Sequence, residues 1–473
     1  MANKGIITEE LISLLQEEQN GIGLSTIQLL LPGSEHYAKR RKLRDGALGF
    51  DHIKPAAIAV PRNGSEVARV IRWVKNAGLG FTIRGGGNDF WARSIAQDAV
   101  VIDMRDINSV EVADDRQTAV IGGGILHRDL TIALDKVGLM TPAANTWIIG
   151  YTGWMSNGGY GPSTHLYGMG IEQVIGAELV NADGEQVVAN EEMLEGIRGI
   201  CGHLGVITSL TIKVYPKYDL AQKPLGGMLV FESTDIRGTI KAYLEAAPML
   251  PYPEQLTVHH FIGFQPQFGV VFSVMWTWTG PDVEKGRAVL QTWKDNSPPL
   301  LMSTVDVLPD KVRQEQMPSP LPMGGGQRNC FLARLPTAEP DDALTETIID
   351  AAESMPKTLG PNIAWGGMVD IDSTKMPPNC FVDRNHSYFS CSYQYPSEEY
   401  AEETSSWSKS LIEKLRSLGK DTVLERGYPA TNPPGEKTAE DLYGEKWKRV
   451  KEIKMKFDPR NVFNHAYPNF NLG

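Results

Sequence analysis

A short β-branched run ending in arginine, FTIR at 81–84, leads straight into three consecutive glycines and then Asn88 and Asp89. Without Cβ atoms, Gly85, Gly86 and Gly87 can adopt left-handed backbone conformations and turn successive N–H groups toward one anion. A diphosphate suits such a nest, and a plain tight turn is the other reading of the three glycines taken alone. Spacing excludes the common nucleotide loops. No GxGxxG follows a strand and no GxxxxGKS/T occurs, so neither a Rossmann site nor a triphosphate loop is supported.

The residues around this loop alternate strand-like and helical stretches. Between 55 and 215 lie AIAV at 57–60, a helix over Ser65–Ala77 with Val67, Val70, Ile71 and Val74 on one face and Ser65 as N-cap, VVID at 100–103 and TAVIGGG at 118–124. From 216 to 420 the pattern changes to long alternating runs, LTVHHFIGF at 256–264 and VVFSVMWTWTG at 270–280, with helices over Asp342–Ser354 and Glu398–Leu418. These predict an antiparallel sheet covered by helices on one face. A last helical stretch places Trp447, Val450, Ile453, Lys454 and Phe457 on one face, stops at Asp458-Pro459, and is expected to return to the first domain. The division predicted is 1–215, 216–420 and 421–473, within an α+β fold.

A chain of 473 residues with net charge −11 is repelled by phosphate backbones and anionic lipid, and its densest basic run, Lys39–Lys42, reads as a solvated helix face, so nucleic acid is not an expected partner. Cys201, Cys330, Cys380 and Cys391 have no metal-ligand spacing, nor do the histidines and carboxylates, so neither metal nor a disulfide framework is expected. The start, MANKGIITEELISLLQEEQ, lacks the pattern of a secretory signal, and no apolar run is long enough to span a bilayer, which predicts a cytoplasmic protein without a membrane partner.

The order of further segments narrows the reading. AVPRNGSEVARVIRWVKNAGLGFTIRGGGND is followed by VVIDMRDINSVEV, AVIGGG, PAANTWIIGYTGWMSNGGYGPSTHLYGMGIEQVIGAELVNADGE, CGHLGVITSLTIKVYP and finally WKRVKEIKMKFDPRNVFNH. This series resembles the FAD-binding domain and the C-terminal ending of the vanillyl-alcohol-oxidase-like flavoproteins, in particular the berberine-bridge-enzyme-like oxidases. The resemblance implies a two-subdomain PCMH-type FAD-binding domain beside an antiparallel-sheet substrate domain. It implies that Pro61 opens the loop near the adenine and that Arg84, Gly85, Gly86, Gly87, Asn88 and Asp89 wrap the pyrophosphate. Gly150, Thr152, Gly153, Asn157, Gly158 and Gly161 would run beside the ribityl chain and ring. Gly205 and Val206 would give main-chain contacts to the flavin's polar edge, and Asn432 belongs to the C-terminal flavin contacts.

Against that family the chain departs at three places. Many relatives carry a flavin-linked histidine where Asn88 stands, and some a linked cysteine where Thr146 is registered. Neither side chain here can form those bonds, which implies non-covalent FAD, with Ile149 near the flavin face where oxygen access is tuned. Arg384 registers with a family arginine and Ser392 with a glutamate base, and a serine is too weak a base to replace it. Tyr428 and His203 are the candidate catalytic groups, each against the alternative of a side chain that simply packs. His259 and His260 are strand neighbours pointing to opposite faces, one of them toward the cavity, and His260 and Trp276 are assigned to the substrate. His165 is expected to be structural. Phe261, Phe264, Met275, Trp278, Trp365 and Met368 suit a large apolar ligand.

Two functions fit. One is an FAD-dependent oxidase or dehydrogenase on a small, largely apolar substrate of secondary-metabolite type, with molecular oxygen or another acceptor. The other is a non-redox cyclase, such as a pericyclase, in which FAD is structural.

Overall fold

The computed structural model describes residues 27–43, 50–144, 146–217, 225–307, 328–333, 342–366, 376–381, 387–393, 395–419, 422–432 and 434–470, with backbone alone for 328–333, 387, 388, 392, 393 and 424–426. Arg384 and Met368 lie outside them. The architecture is the α+β arrangement expected, with three main sheets.

The first sheet orders its strands Gln28–Leu30, Ala57–Val60, Val100–Asp103 and Phe81–Arg84, the last three parallel. Helix Gly64–Asn76 makes the crossover, burying Val67, Val70, Ile71 and Val74 against these strands as their spacing requires. Its cap differs from the expectation. Asn63, not Ser65, accepts the Glu66 amide at 2.9 Å, because Ser65 already sits within the first turn. The parallel arrangement brings Arg84 and the start of the glycine loop to the carboxyl end of the sheet.

The second sheet is antiparallel, in the order Val110–Val112, Thr118–Gly122, Val206–Lys213, Val174–Val180 and Gln186–Val188. Its glycine triplet is a joint. A Cβ on Gly123 would stand 1.9 Å from the Ile207 carbonyl oxygen and one on Gly124 1.7 Å from that of Met104. Both amides are bonded, to Thr208 and Ile107, at 2.9 Å each.

The third sheet is a long antiparallel array running Leu300–Ser303, Leu225–Phe231, Gly269–Trp278, Leu256–Gln265, Pro361–Gly366, Ser387–Tyr393, Arg328–Ala333 and Val423–Gly427, with Asp306–Val307 beside the second. Helices Ile236–Ala246, Val283–Asn296, Asp342–Glu353 and Ala401–Ser417 pack into one apolar core with one face of it, through Val258, Ile262, Phe272, Val274 and Trp278 among others. The other face meets the first part of the chain: the Thr257 hydroxyl donates to the Pro162 carbonyl at 2.5 Å, and His165 Nδ1 lies 3.1 Å from the Leu256 oxygen.

Helix Trp447–Phe457 returns to the first part of the chain, burying Val450 and Ile453 in one core with Leu194 and Ile197, while Arg449 pairs with Glu195 at 2.7 Å. Lys454 on its apolar face is wholly buried because Asp458 takes its charge at 2.6 Å and the His203 carbonyl accepts a second hydrogen bond at 3.0 Å. Asp458 also accepts the amides of Val462 and Phe463, at 2.9 and 3.0 Å.

Candidate active site

The glycine nest is built on a buried arginine. The Arg84 guanidinium donates to the carbonyls of Arg40 and Lys42, and burial lowers its pKa to about 10, which leaves it charged at neutral pH. Gly87, at φ +69°, curls back over it: a Cβ there would lie 2.5 Å from Arg84 Nε. Gly86 meets the second loop backbone to backbone, since a Cβ on it would stand 2.4 Å from the Gly150 nitrogen. Gly85 and Gly153, by contrast, face open space. The two loops therefore touch at one point and leave room on either side of it, a shape that admits an extended dinucleotide.

Asn88 Oδ1 is buried with no hydrogen-bond partner among the described residues. That orphaned acceptor fits a donor on a bound group. Asp89 serves the loop itself, accepting the amides of Trp91, Arg93 and Ser94 and the Ser94 hydroxyl at 2.7 Å. Its carboxylate is thus occupied internally, not turned to a phosphate.

The second loop is clamped from behind. The amides of His127 and Arg128, opening helix His127–Asp135, donate to Ile149 and Trp147 at 3.0 Å each. Thr146 and Ile149 remain partly exposed, and Thr152 gives its hydroxyl to the Gly123 carbonyl at 2.7 Å. Asn157 bonds back to the Gly153 carbonyl at 2.9 Å, Gly158 abuts the Phe381 ring, and Gly161 presses on the Ala143 carbonyl. Pro61 is buried directly after the first-sheet strand, and Gly205 presses on Leu179 and Val180 where Val206 starts its strand. The composition gave no signal for His127, which is buried against Tyr151 and Trp154. Neither of its ring nitrogens has a partner among the described residues, and burial lowers its pKa to about 3.

Arg93 and Trp91, also unremarked in the sequence, close the nest against the C-terminal segment. Arg93 donates to the carbonyls of Pro429 (2.5 Å) and Asn432 and lies 3.4 Å over the Tyr467 ring; Trp91 Nε1 donates to the Thr431 carbonyl at 2.8 Å. Asn432 is thereby held at the loop, its Oδ1 buried without a partner among the described residues. Tyr428 lies between the rings of Tyr160 and Phe381, with centroids 5.7 and 6.4 Å away. His203 is stacked on Phe470 at 3.8 Å, inside the C-terminal core, and burial followed by the Lys454 charge lowers its pKa to about 3. The ring stays neutral and packs as a joint for the Cys201–Val206 turn, while its Nε2 has no partner among the described residues.

The substrate assignments of His260 and Trp276 need correction. Both point to the helix side of the third sheet. His260 Nε2 lies 2.8 Å from the Tyr243 hydroxyl and its ring stacks on Trp365, while Trp276 is wholly buried in the same core. Strand alternation fixes the parity: once Val258, Ile262 and Val274 face the helices, their even-numbered neighbours must too. The opposite face carries His259, Phe261, Ser273, Met275 and Ala364. Ser392, described by its backbone, pairs with Asn362 and Arg328 two places along the strand from Ser390. His165, bonded to the Leu256 carbonyl, holds the sheet to the first domain. Among the described residues no helix is long and apolar enough to cross a membrane, and no three histidine, cysteine or acidic side chains gather as metal ligands.

Known proteins match this arrangement. Residues 55–190 fit the FAD binding domain and residues 431–468 the segment described as berberine and berberine like. The FAD-linked oxidoreductase aurO of Gibberella zeae is 25% identical over 454 residues, which span 93% of this chain and 85% of that protein. The 6-hydroxy-D-nicotine oxidase of Arthrobacter nicotinovorans superposes with a TM-score of 0.80 at 18% identity, covering 95% of this chain and 99% of that one. Glucooligosaccharide oxidase from Acremonium strictum, whose FAD is 6-S-cysteinyl and 8α-N1-histidyl linked, does so with a TM-score of 0.77 at 16% identity over 95% and 97%. With both domain matches on the shared fold, the chain carries an FAD binding domain and a berberine and berberine like segment, and is similar over most of its length to FAD-linked oxidoreductases.

Proposed function

We propose that the protein is an oxidase or dehydrogenase that holds FAD without a covalent bond and acts on a small, largely apolar molecule. One observation carries the reading of the cofactor: Asn88, with its buried, unpartnered Oδ1, stands where relatives carry a linking histidine, and an amide cannot form that bond. Thr146 likewise offers a hydroxyl where a linking cysteine would stand. When bound, FAD supplies a two-electron acceptor for hydride from a substrate carbon. The chain supplies the rest. The amides of the 85–88 loop hold the diphosphate, the Gly86–Gly150 contact closes the gap between the two loops, and Tyr428 stands beside Tyr160 as the candidate proton acceptor. Oxygen or another acceptor completes the cycle, in a cytoplasmic setting supported by the buried, unpaired thiols of Cys201, Cys380 and Cys391.

Acid precipitation of the purified protein tests the cofactor reading: intact FAD is expected in the supernatant, and a coloured pellet overturns it. Ser392 in place of a carboxylate base favours a second reading, the non-redox cyclase. Under the first, anaerobic substrate bleaches the flavin and the product is lighter by two hydrogens. Under the second, substrate and product have equal mass.

A further inference from the structure

We propose that His259 is the polar group that receives the substrate, through a hydrogen bond between its Nε2 and an alcoholic or phenolic hydroxyl on an otherwise apolar, uncharged molecule. The inference rests on the reading of an FAD enzyme with a small apolar substrate and assigns the group that recognises it.

Register places His259 on the side of the sheet away from the helices, opposite Met275 on one neighbouring strand and Gly366 on the other. Gly366 provides the room that the ring occupies, since a Cβ there would stand 2.6 Å from Nδ1 and 2.9 Å from Cε1. The imidazole therefore lies over Gly366, which is paired in turn with Tyr388 on the strand Ser387–Tyr393. On the same face, Thr257 and the Leu256 carbonyl fasten the strand to Pro162 and His165, so the ring lies beside the joint between the two halves of the chain.

His259 Nε2 is buried and has no hydrogen-bond partner among the described residues. A buried imidazole nitrogen left unmatched costs free energy that a ligand hydroxyl would recover. Burial, with His165 nearby, lowers its pKa to about 4, so the ring is neutral in ordinary buffers and can either donate to or accept from a hydroxyl. Phe261, Met275 and Ala364 on this face are apolar and meet the remainder of such a molecule, while the Thr257 hydroxyl is engaged by Pro162 and Ser273 stands opposite Phe261. His260, the adjacent histidine, has both ring nitrogens engaged by Tyr243 and Trp365 and cannot do this.

The test uses 4-propylphenol and propylbenzene, which differ by one hydroxyl, titrated calorimetrically into the FAD-loaded protein, with flavin content measured on every sample. Wild type is expected to bind the phenol about tenfold more tightly or better. His259→Leu should abolish that preference while leaving propylbenzene binding unchanged, and His259→Gln should keep part of it. A merely structural histidine would weaken both probes alike. Equal affinities in wild type, or an undiminished preference in His259→Leu, overturns the proposal. Because the readout is heat of binding, a protein that lacks flavin refutes the cofactor reading separately, and the hydroxyl preference still decides the role of His259.

Discussion

At the scale of single residues, the contact that joins the two glycine loops is that of Gly86 to Gly150. A methyl group at Gly86 would meet a backbone nitrogen at 2.4 Å, which no side-chain rotation relieves, so the two loops must separate. Gly86→Ala is expected to lower FAD affinity on the order of tenfold or more, about 1.4 kcal/mol, with the far-ultraviolet spectrum unchanged. Equilibrium dialysis with FAD checks it, and undiminished affinity would contradict the assignment of this contact to the cofactor site. The close packing of Gly86 and Gly87 was legible in the sequence because it depends on the Cβ they lack. Which residues of the third sheet face away from the helices was not. Two adjacent histidines obey one alternation, and only the knowledge of which parity meets the helices chooses between them; Trp276 and Trp278, sharing parity with Val274, were the available hint that the even positions form the core.

At the scale of elements, the C-terminal helix shows how a charged residue can occupy an apolar stripe. Lys454 was placed on the buried face by periodicity alone, and the structure supplies the reason in Asp458, one turn on. Lys454→Met leaves that carboxylate buried and unpaired and is expected to cost roughly 3–5 kcal/mol, seen as a lowered denaturant midpoint. Adding Asp458→Asn should recover part of the loss, and a double variant less stable than the single one would contradict this account. Strand and helix positions were read from the sequence nearly to the residue where one face is apolar, as in Ala57–Val60, Phe81–Arg84 and Gly269–Trp278. The cap at Asn63 escaped because two capping residues lie within three positions, and only backbone geometry separates them.

At the scale of the whole molecule, folding strands several histidines away from water. His127, His203 and His260 each fall from an ordinary 6.5 to about 3, chiefly through burial. Between those values the unfolded chain binds protons that the folded one does not. Stability is therefore full above about pH 6.5 and declines as pH falls toward 3. Denaturant midpoints should be level above about pH 7 and drop steadily below about 6, whereas a flat profile down to about 4 would show that these rings titrate normally. The fold class and the run of flavin-site segments were visible in the order of the motifs. The closure of that site was not, because Arg93 and Trp91 act through backbone carbonyls, which leave no imprint on side-chain identity at 429, 431 and 432.

That closure bears on the history of each molecule. The nest at 84–89 belongs to the first fifth of the chain, yet its wall includes Pro429, Thr431, Asn432 and Tyr467. On the ribosome the early strands and the crossover helix can form several hundred residues ahead of the segment at 429–467, and until that segment is made the pocket has no far side. The groove therefore closes only after residue 429 has been made, and a nascent chain released before that point would leave with it open.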